Sequence, residues 1–206
     1  MENEKYLKDI QDIKQMMTQS SRFISLSGLS GILAGTYSLI GAWFAYRTIY
    51  FDNSIMGSYR NLVISYDAVV RLFIIAATVI LLSVITGIVL SFRKAKKANE
   101  SLWNPTSKRL LINFLIPLLT GGFFILFLIE KEILSLIAPL MLIFYGMACL
   151  NASKYTIGDV RYLGITLIIL GLLSTWFLGY GLLFWALGFG VCHIVYGALM
   201  YFKYDR

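Results

Sequence analysis

Residues 72–92 read LFIIAATVILLSVITGIVLSF, an uninterrupted run without a single charge. As an α-helix rising ~1.5 Å per residue, the run is long enough to cross a hydrocarbon core ~30 Å thick. Leu72–Ile80 is apolar on nearly every face. A strand of a membrane barrel would instead alternate lipid-facing and lumen-facing positions. In lipid every backbone polar group must be satisfied within the segment, so the run reads as a membrane-spanning helix. Five further stretches share its character, at 24–46, 110–129, 133–150, 162–179 and 182–202. Hydrophobic residues make up 58% of the 206-residue chain, above the roughly 45–50% of soluble domains, and the mean hydropathy is +0.74. The residues left between the spans are too few for a second soluble domain. The expected fold is therefore all-α: an integral membrane bundle of six transmembrane helices over residues 23–206, preceded by a cytoplasmic amphipathic helix over residues 1–22.

The net charge is +7, and its placement predicts topology. With the N-terminus inside, the inner side carries Lys5, Lys8, Lys14, Arg22, Arg93, Lys94, Lys96, Lys97, Lys108, Arg109, Lys154, Arg161, Lys203 and Arg206. The outer side carries only Arg47, Arg60, Arg71 and Lys131. This positive-inside asymmetry, with an even number of spans, predicts a multi-pass membrane protein with both termini cytoplasmic. Topology accounts for the basic excess, so no direct nucleic-acid binding is inferred from it; contact with anionic lipid headgroups follows naturally. The first 22 residues include four acids, Glu2, Glu4, Asp9 and Asp12, and the first apolar run is longer than a signal-peptide core. That span is expected to remain as an anchor.

Within residues 3–20, Tyr6, Ile10, Ile13 and Met17 recur at helical spacing and form one narrow apolar stripe. The charges around it balance, unlike the cationic face of a membrane-surface helix. A protein partner or the bundle's inner surface competes with lipid as what this helix covers. In the first span Gly28, Gly31, Gly35, Ser38 and Ala42 stack on one side. Small residues let helices approach closely in lipid, so this stripe should meet another span or a second copy of the chain. Asn104-Pro105 breaks the chain before the third span, and Thr106 or Ser107 can cap it. Pro117 and Pro139 lie within spans and are expected to kink them. An internal echo joins Ile143-Phe144-Tyr145-Gly146 to Ile194-Val195-Tyr196-Gly197, followed by Lys154-Tyr155 and Lys203-Tyr204, as if hairpins of related design recur.

Chemistry-bearing groups are few. No Asp or Glu falls in the middle of a span, where ion-coupled carriers usually place one. There is no P-loop, no G-x-S-x-G and no H-E-x-x-H, so no catalytic residue is assigned. Cys149 and Cys192 read as small core residues. With one histidine and these two cysteines the chain offers no metal site and no bis-histidine haem, and no cofactor is expected. That histidine, His193, sits near the centre of the last span, sharing a helical face with Ala186, Gly190 and Gly197; Gly190 and Gly197 add to the helix-packing set. Two deep tyrosines need hydrogen-bond partners. Tyr145, His193 and Tyr196 are therefore the candidate ligand-binding pocket, the alternative being a neutral imidazole bonded to a neighbouring helix.

The strings Ser153-Lys154-Tyr155-Thr156, Asp159-Val160-Arg161-Tyr162-Leu163-Gly164 and Gly179-Tyr180-Gly181-Leu182-Leu183-Phe184-Trp185, with the region Leu26–Gly31, resemble a family of small uncharacterised bacterial inner-membrane proteins of about this length and span count. The likeness runs over most of the chain. It implies six spans but no assigned activity and no site residues. It also implies company with small winged-helix regulators, and hence a sensing or signalling role. The expected function is non-enzymatic: a small sensor or accessory subunit responding to a lipid or small ligand. Its expected partners are membrane lipids, a cytoplasmic protein engaged through residues 3–20, and a second copy of the chain. A carrier or channel for a small neutral or lipid-like solute is the alternative, and a membrane enzyme acting on lipid or quinone a third reading.

Overall fold

The computed structural model describes residues 27–50, 66–97 and 103–205, together with Tyr6 and Ile10, which are helical and exposed. The rest of the proposed N-terminal amphipathic helix and most of the loop after the first span lie outside the described residues. Six helices follow in order: α1 (Gly28–Tyr50), α2 (Tyr66–Lys97), α3 (Pro105–Glu130), α4 (Ile137–Ala152), α5 (Asp159–Trp176) and α6 (Gly181–Asp205). A single 3₁₀ turn, Leu134–Leu136, leads into α4. All six are long and apolar enough to cross a membrane. The protein is an all-α bundle of the multi-pass membrane class.

The helices overrun the apolar runs because backbone hydrogen bonding does not stop where the hydrocarbon stops. α2 has 32 residues, or ~48 Å at ~1.5 Å each, so its polar ends project beyond a ~30 Å core. The cap of α3 falls on Asn104 rather than on Thr106 or Ser107. Pro105 lacks the N–H that would go unused at the first helical position, leaving Asn104 one residue earlier as the cap. The Asn104 side chain accepts from the Ser107 amide at 2.7 Å, and Ser107 Oγ accepts from the Asn104 amide at 3.1 Å, a reciprocal capping box. Pro139 is the third residue of α4, where its missing donor would have had no intrahelical partner. It opens that helix instead of kinking its middle, while Pro117 lies in the interior of α3. Gly179, at φ 102°, makes the turn between α5 and α6.

Glycines set the packing. A Cβ on Gly35 would lie 2.6 Å from the Gly190 carbonyl oxygen, and one on Gly197 would lie 2.6 Å from the Ile32 amide. The small-residue stripe of α1 thus meets α6 of the same chain, backbone to backbone, through Gly28, Gly31 and Gly35 on one side and Gly190 and Gly197 on the other. Ser38 and Ala42 continue the buried run of α1. Gly146 and Gly164 form an equivalent seam between α4 and α5, where a Cβ added to either would lie 2.7 Å from the carbonyl oxygen of the other. Leu142 and Leu167, both 0% exposed, fill the space between α4 and α5, and Gly188 brings α6 against them. α2 lies along α1, where Val79 fits over Gly41 and Tyr37 meets Thr86 at 3.4 Å. α3 lies along α4, where Phe144 fits over Gly121. Only 6% of the apolar window of α2 is buried. In water such a helix would be a severe aggregation liability; in lipid its outer face is already in its own solvent.

The Gly28 amide donates to Asp205 Oδ2 at 2.8 Å, so both ends of the bundle lie on one face. Among the described residues that face carries Arg93, Lys94, Lys96, Lys97, Lys108, Arg109, Lys154, Arg161 and Lys203, and the opposite face Arg47, Arg71 and Lys131.

Candidate functional site

Two arrangements stand out, one in the core and one at the basic face. In the core, α4 presents Tyr145 to His193 of α6. His193 Nδ1 lies 2.9 Å from the Gly188 carbonyl oxygen, and Nε2 lies 3.1 Å from the Tyr145 hydroxyl. A carbonyl only accepts, so Nδ1 carries the proton of the neutral ring and Nε2 accepts from the Tyr145 O–H. Phe189 stacks on His193 with centroids 5.8 Å apart and leans on Tyr145 at 5.0 Å, and Phe114 closes the edge of Tyr145. Cys149, one turn beyond Tyr145, is buried against it.

Tyr196 belongs to a different contact. Its hydroxyl meets Thr166 Oγ1 of α5 at 3.2 Å. Thr166 spends its own proton on the Tyr162 carbonyl at 2.9 Å, so Tyr196 is the donor. Tyr145 and Tyr196 border the same hydrophobic clusters, yet they belong to two separate hydrogen-bonded pairs, one with His193 and one with Thr166. The shared face expected for His193, Gly190 and Gly197 also divides: the glycines lie on α1, the imidazole on Tyr145 of α4. Between Gly190 and His193 the π-helical stretch Ala186–Cys192 intervenes, and face arithmetic at 3.6 residues per turn fails across it. His193 and Gly197 share regular α-helix, and there only the imidazole turns to α4 while the His193 carbonyl stays toward Gly31 of α1. Phe189, Thr166 and Phe114 were not among the sequence candidates.

At the basic face, the turn between α4 and α5 and the end of α6 border a half-open cavity of about 720 Å³. Lys154, Asp159, Arg161, Tyr162, Lys203 and Tyr204 supply its polar lining. Lys203 Nζ donates to Asp159 Oδ2 at 2.9 Å. Neither Lys154 nor Arg161 has a carboxylate partner among the described residues. The sequence held a trace of this site in the echoed Lys154-Tyr155 and Lys203-Tyr204, whose lysines converge on one cavity.

On the far side of the same α6 terminus, Asp205 gathers three donors: Ser27 Oγ at 3.1 Å, the Gly28 amide at 2.8 Å and Lys94 Nζ. One carboxylate thereby ties the start of α1, the end of α2 and the end of α6.

Together these features define a six-helix membrane bundle with a closed core contact and an open basic cavity. Comparison of the chain with known proteins finds no matching family model, no matching curated protein and no matching solved structure.

Proposed function

We propose that the chain is a small non-enzymatic sensor or accessory subunit of the bacterial inner membrane, responding to a lipid or small ligand and passing that response to a cytoplasmic protein. Both termini then lie in the cytoplasm, in keeping with the positive-inside distribution of Lys and Arg. The observation that carries the reading is the Asp205 junction. The start of α1, which follows the N-terminal segment in the chain, is bonded through Asp205 to the ends of α2 and α6 at once. A change in how those helices pack is felt at the start of α1, and residues 3–20, which precede it in the chain, carry the apolar stripe suited to a partner. The lack of any catalytic motif in the sequence supports a non-enzymatic role, and the resemblance to small inner-membrane proteins beside winged-helix regulators agrees with it.

Deleting residues 1–20 tests the proposal. The truncated protein is expected to insert in the membrane as the full chain does and to lose its cross-linked cytoplasmic partner. Cross-linking unchanged by the deletion overturns it, as does solute flux through reconstituted liposomes abolished by His193→Ala, which would make the protein a carrier.

A further inference from the structure

We propose that the basic cavity between α4, α5 and α6 binds the phosphate-bearing headgroup of an anionic membrane lipid. Its charge argues for an anion. Lys203 and Asp159 neutralise one another, while Lys154 and Arg161 add two cations with no partner among the described residues. Arg161 presents a planar fork matched to phosphate oxygens, and Lys154 a mobile point charge. Tyr162 and Tyr204 complete the lining. At about 720 Å³ the cavity holds more than a bare phosphate; it falls within the range of ~300–1,000 Å³ of small-molecule sites.

The surroundings favour a lipid over a free phosphate. Tyr162, 60% exposed at the cavity mouth, begins an exposed stripe that continues through Ile165, Ile169 and Leu172 along the outside of α5. An acyl chain lying on that stripe leaves its headgroup at the level of Arg161 and Lys154. The cavity also opens where a span ends, at the depth of the headgroup layer for a helix of this length. The inference deepens the lipid-responsive reading and rests on it for the membrane setting. It further places a ligand beside Lys203, two residues from the Asp205 junction.

The test uses the full chain in nanodiscs of phosphatidylcholine with a minor share of phosphatidylglycerol, with retained lipid read by native mass spectrometry. Wild type is expected to retain phosphatidylglycerol over phosphatidylcholine. The variant K154Q/R161Q, altered only at exposed positions, should keep the wild-type unfolding midpoint. Its preference should fall roughly twenty-five-fold, about fivefold for each cation removed. Lys108→Gln, on the same face but outside the cavity, should leave the preference intact. No preference in wild type overturns the proposal, as does a preference that survives in K154Q/R161Q. Equal loss in Lys108→Gln overturns it by showing diffuse surface charge. Displacement of phosphatidylglycerol by equimolar inorganic phosphate overturns it in favour of a soluble anion. Headgroup selectivity absent while the 1–20 deletion still loses its partner refutes the cavity alone; selectivity present with the partner unaffected refutes the relay alone.

Discussion

Inside a span a polar side chain has no water to fall back on, so each hydroxyl and ring nitrogen is read by asking where its hydrogen bond goes. His193 and Tyr145 answer each other, and Tyr196 answers to Thr166 instead. The difference is measurable. Removing the Tyr145 hydroxyl leaves Nε2 of a buried imidazole without its donor. In a double-mutant cycle, Tyr145→Phe and His193→Leu should couple by about 1 kcal/mol, within the ~0.6–1.7 kcal/mol found for hydrogen bonds between membrane helices. Tyr196→Phe with His193→Leu should instead be additive to within ~0.5 kcal/mol. Unfolding of the detergent-solubilised protein reads both cycles. Strong coupling in the second would restore a single three-residue site.

At the scale of the element, contact energy comes from how closely two backbones approach. Gly35→Leu places its Cβ against the Gly190 carbonyl and the Ile194 amide, atoms that no rotamer change can move aside. α1 must then leave α6, and a loss of about 3 kcal/mol is expected, at the upper end of overpacking. Gly122→Leu on α3 meets nothing within 4 Å and should be neutral or slightly stabilising, since Gly costs ~1 kcal/mol in a helix interior. Thermal unfolding midpoints of the two variants check the contrast. This level was the most legible in the sequence. Spans announce themselves by apolar length, and the 3-4 spacing of Gly28, Gly31 and Gly35 already marked a seam. What escaped were matters that apolar patterning does not encode. The ends of α2 carry polar residues yet remain helical. The cap at Asn104 depends on Pro105 behind it. The π stretch Ala186–Cys192 shifts the register between Gly190 and His193, and no residue type within it announces a wider turn. The basic cavity joins Lys154 to Lys203, residues far apart in the chain, and only the repeated Lys-Tyr pair hinted at it.

For the molecule as a whole, the glycine seams make α1–α6 and α4–α5 two close pairs, with α2 and α3 laid along their outer sides. The last turn of α6 is gripped from both flanks: Lys203 holds Asp159 of α5, and Asp205 holds the start of α1 and the end of α2. That terminus is therefore where the two halves of the bundle can exchange strain. Asp205 is nearly buried, with 9% of its side chain exposed, and it supplies the capping oxygen that α1 lacks locally. Asp205→Ala removes both the bond to the Gly28 amide and the ion pair with Lys94. Losing a cap costs about 1 kcal/mol, which corresponds to roughly fivefold faster opening of the first turn of α1. Hydrogen exchange at the amides of Gly28–Ser30 should rise by that factor in Asp205→Ala and by less in Lys94→Gln, which keeps the capping carboxylate. Asp159→Asn, on the opposite flank, should leave those amides unchanged. Exchange that rises equally in all three variants would mean that the whole terminus frays as one, and α6 would then offer no separate route from the cavity to the start of α1.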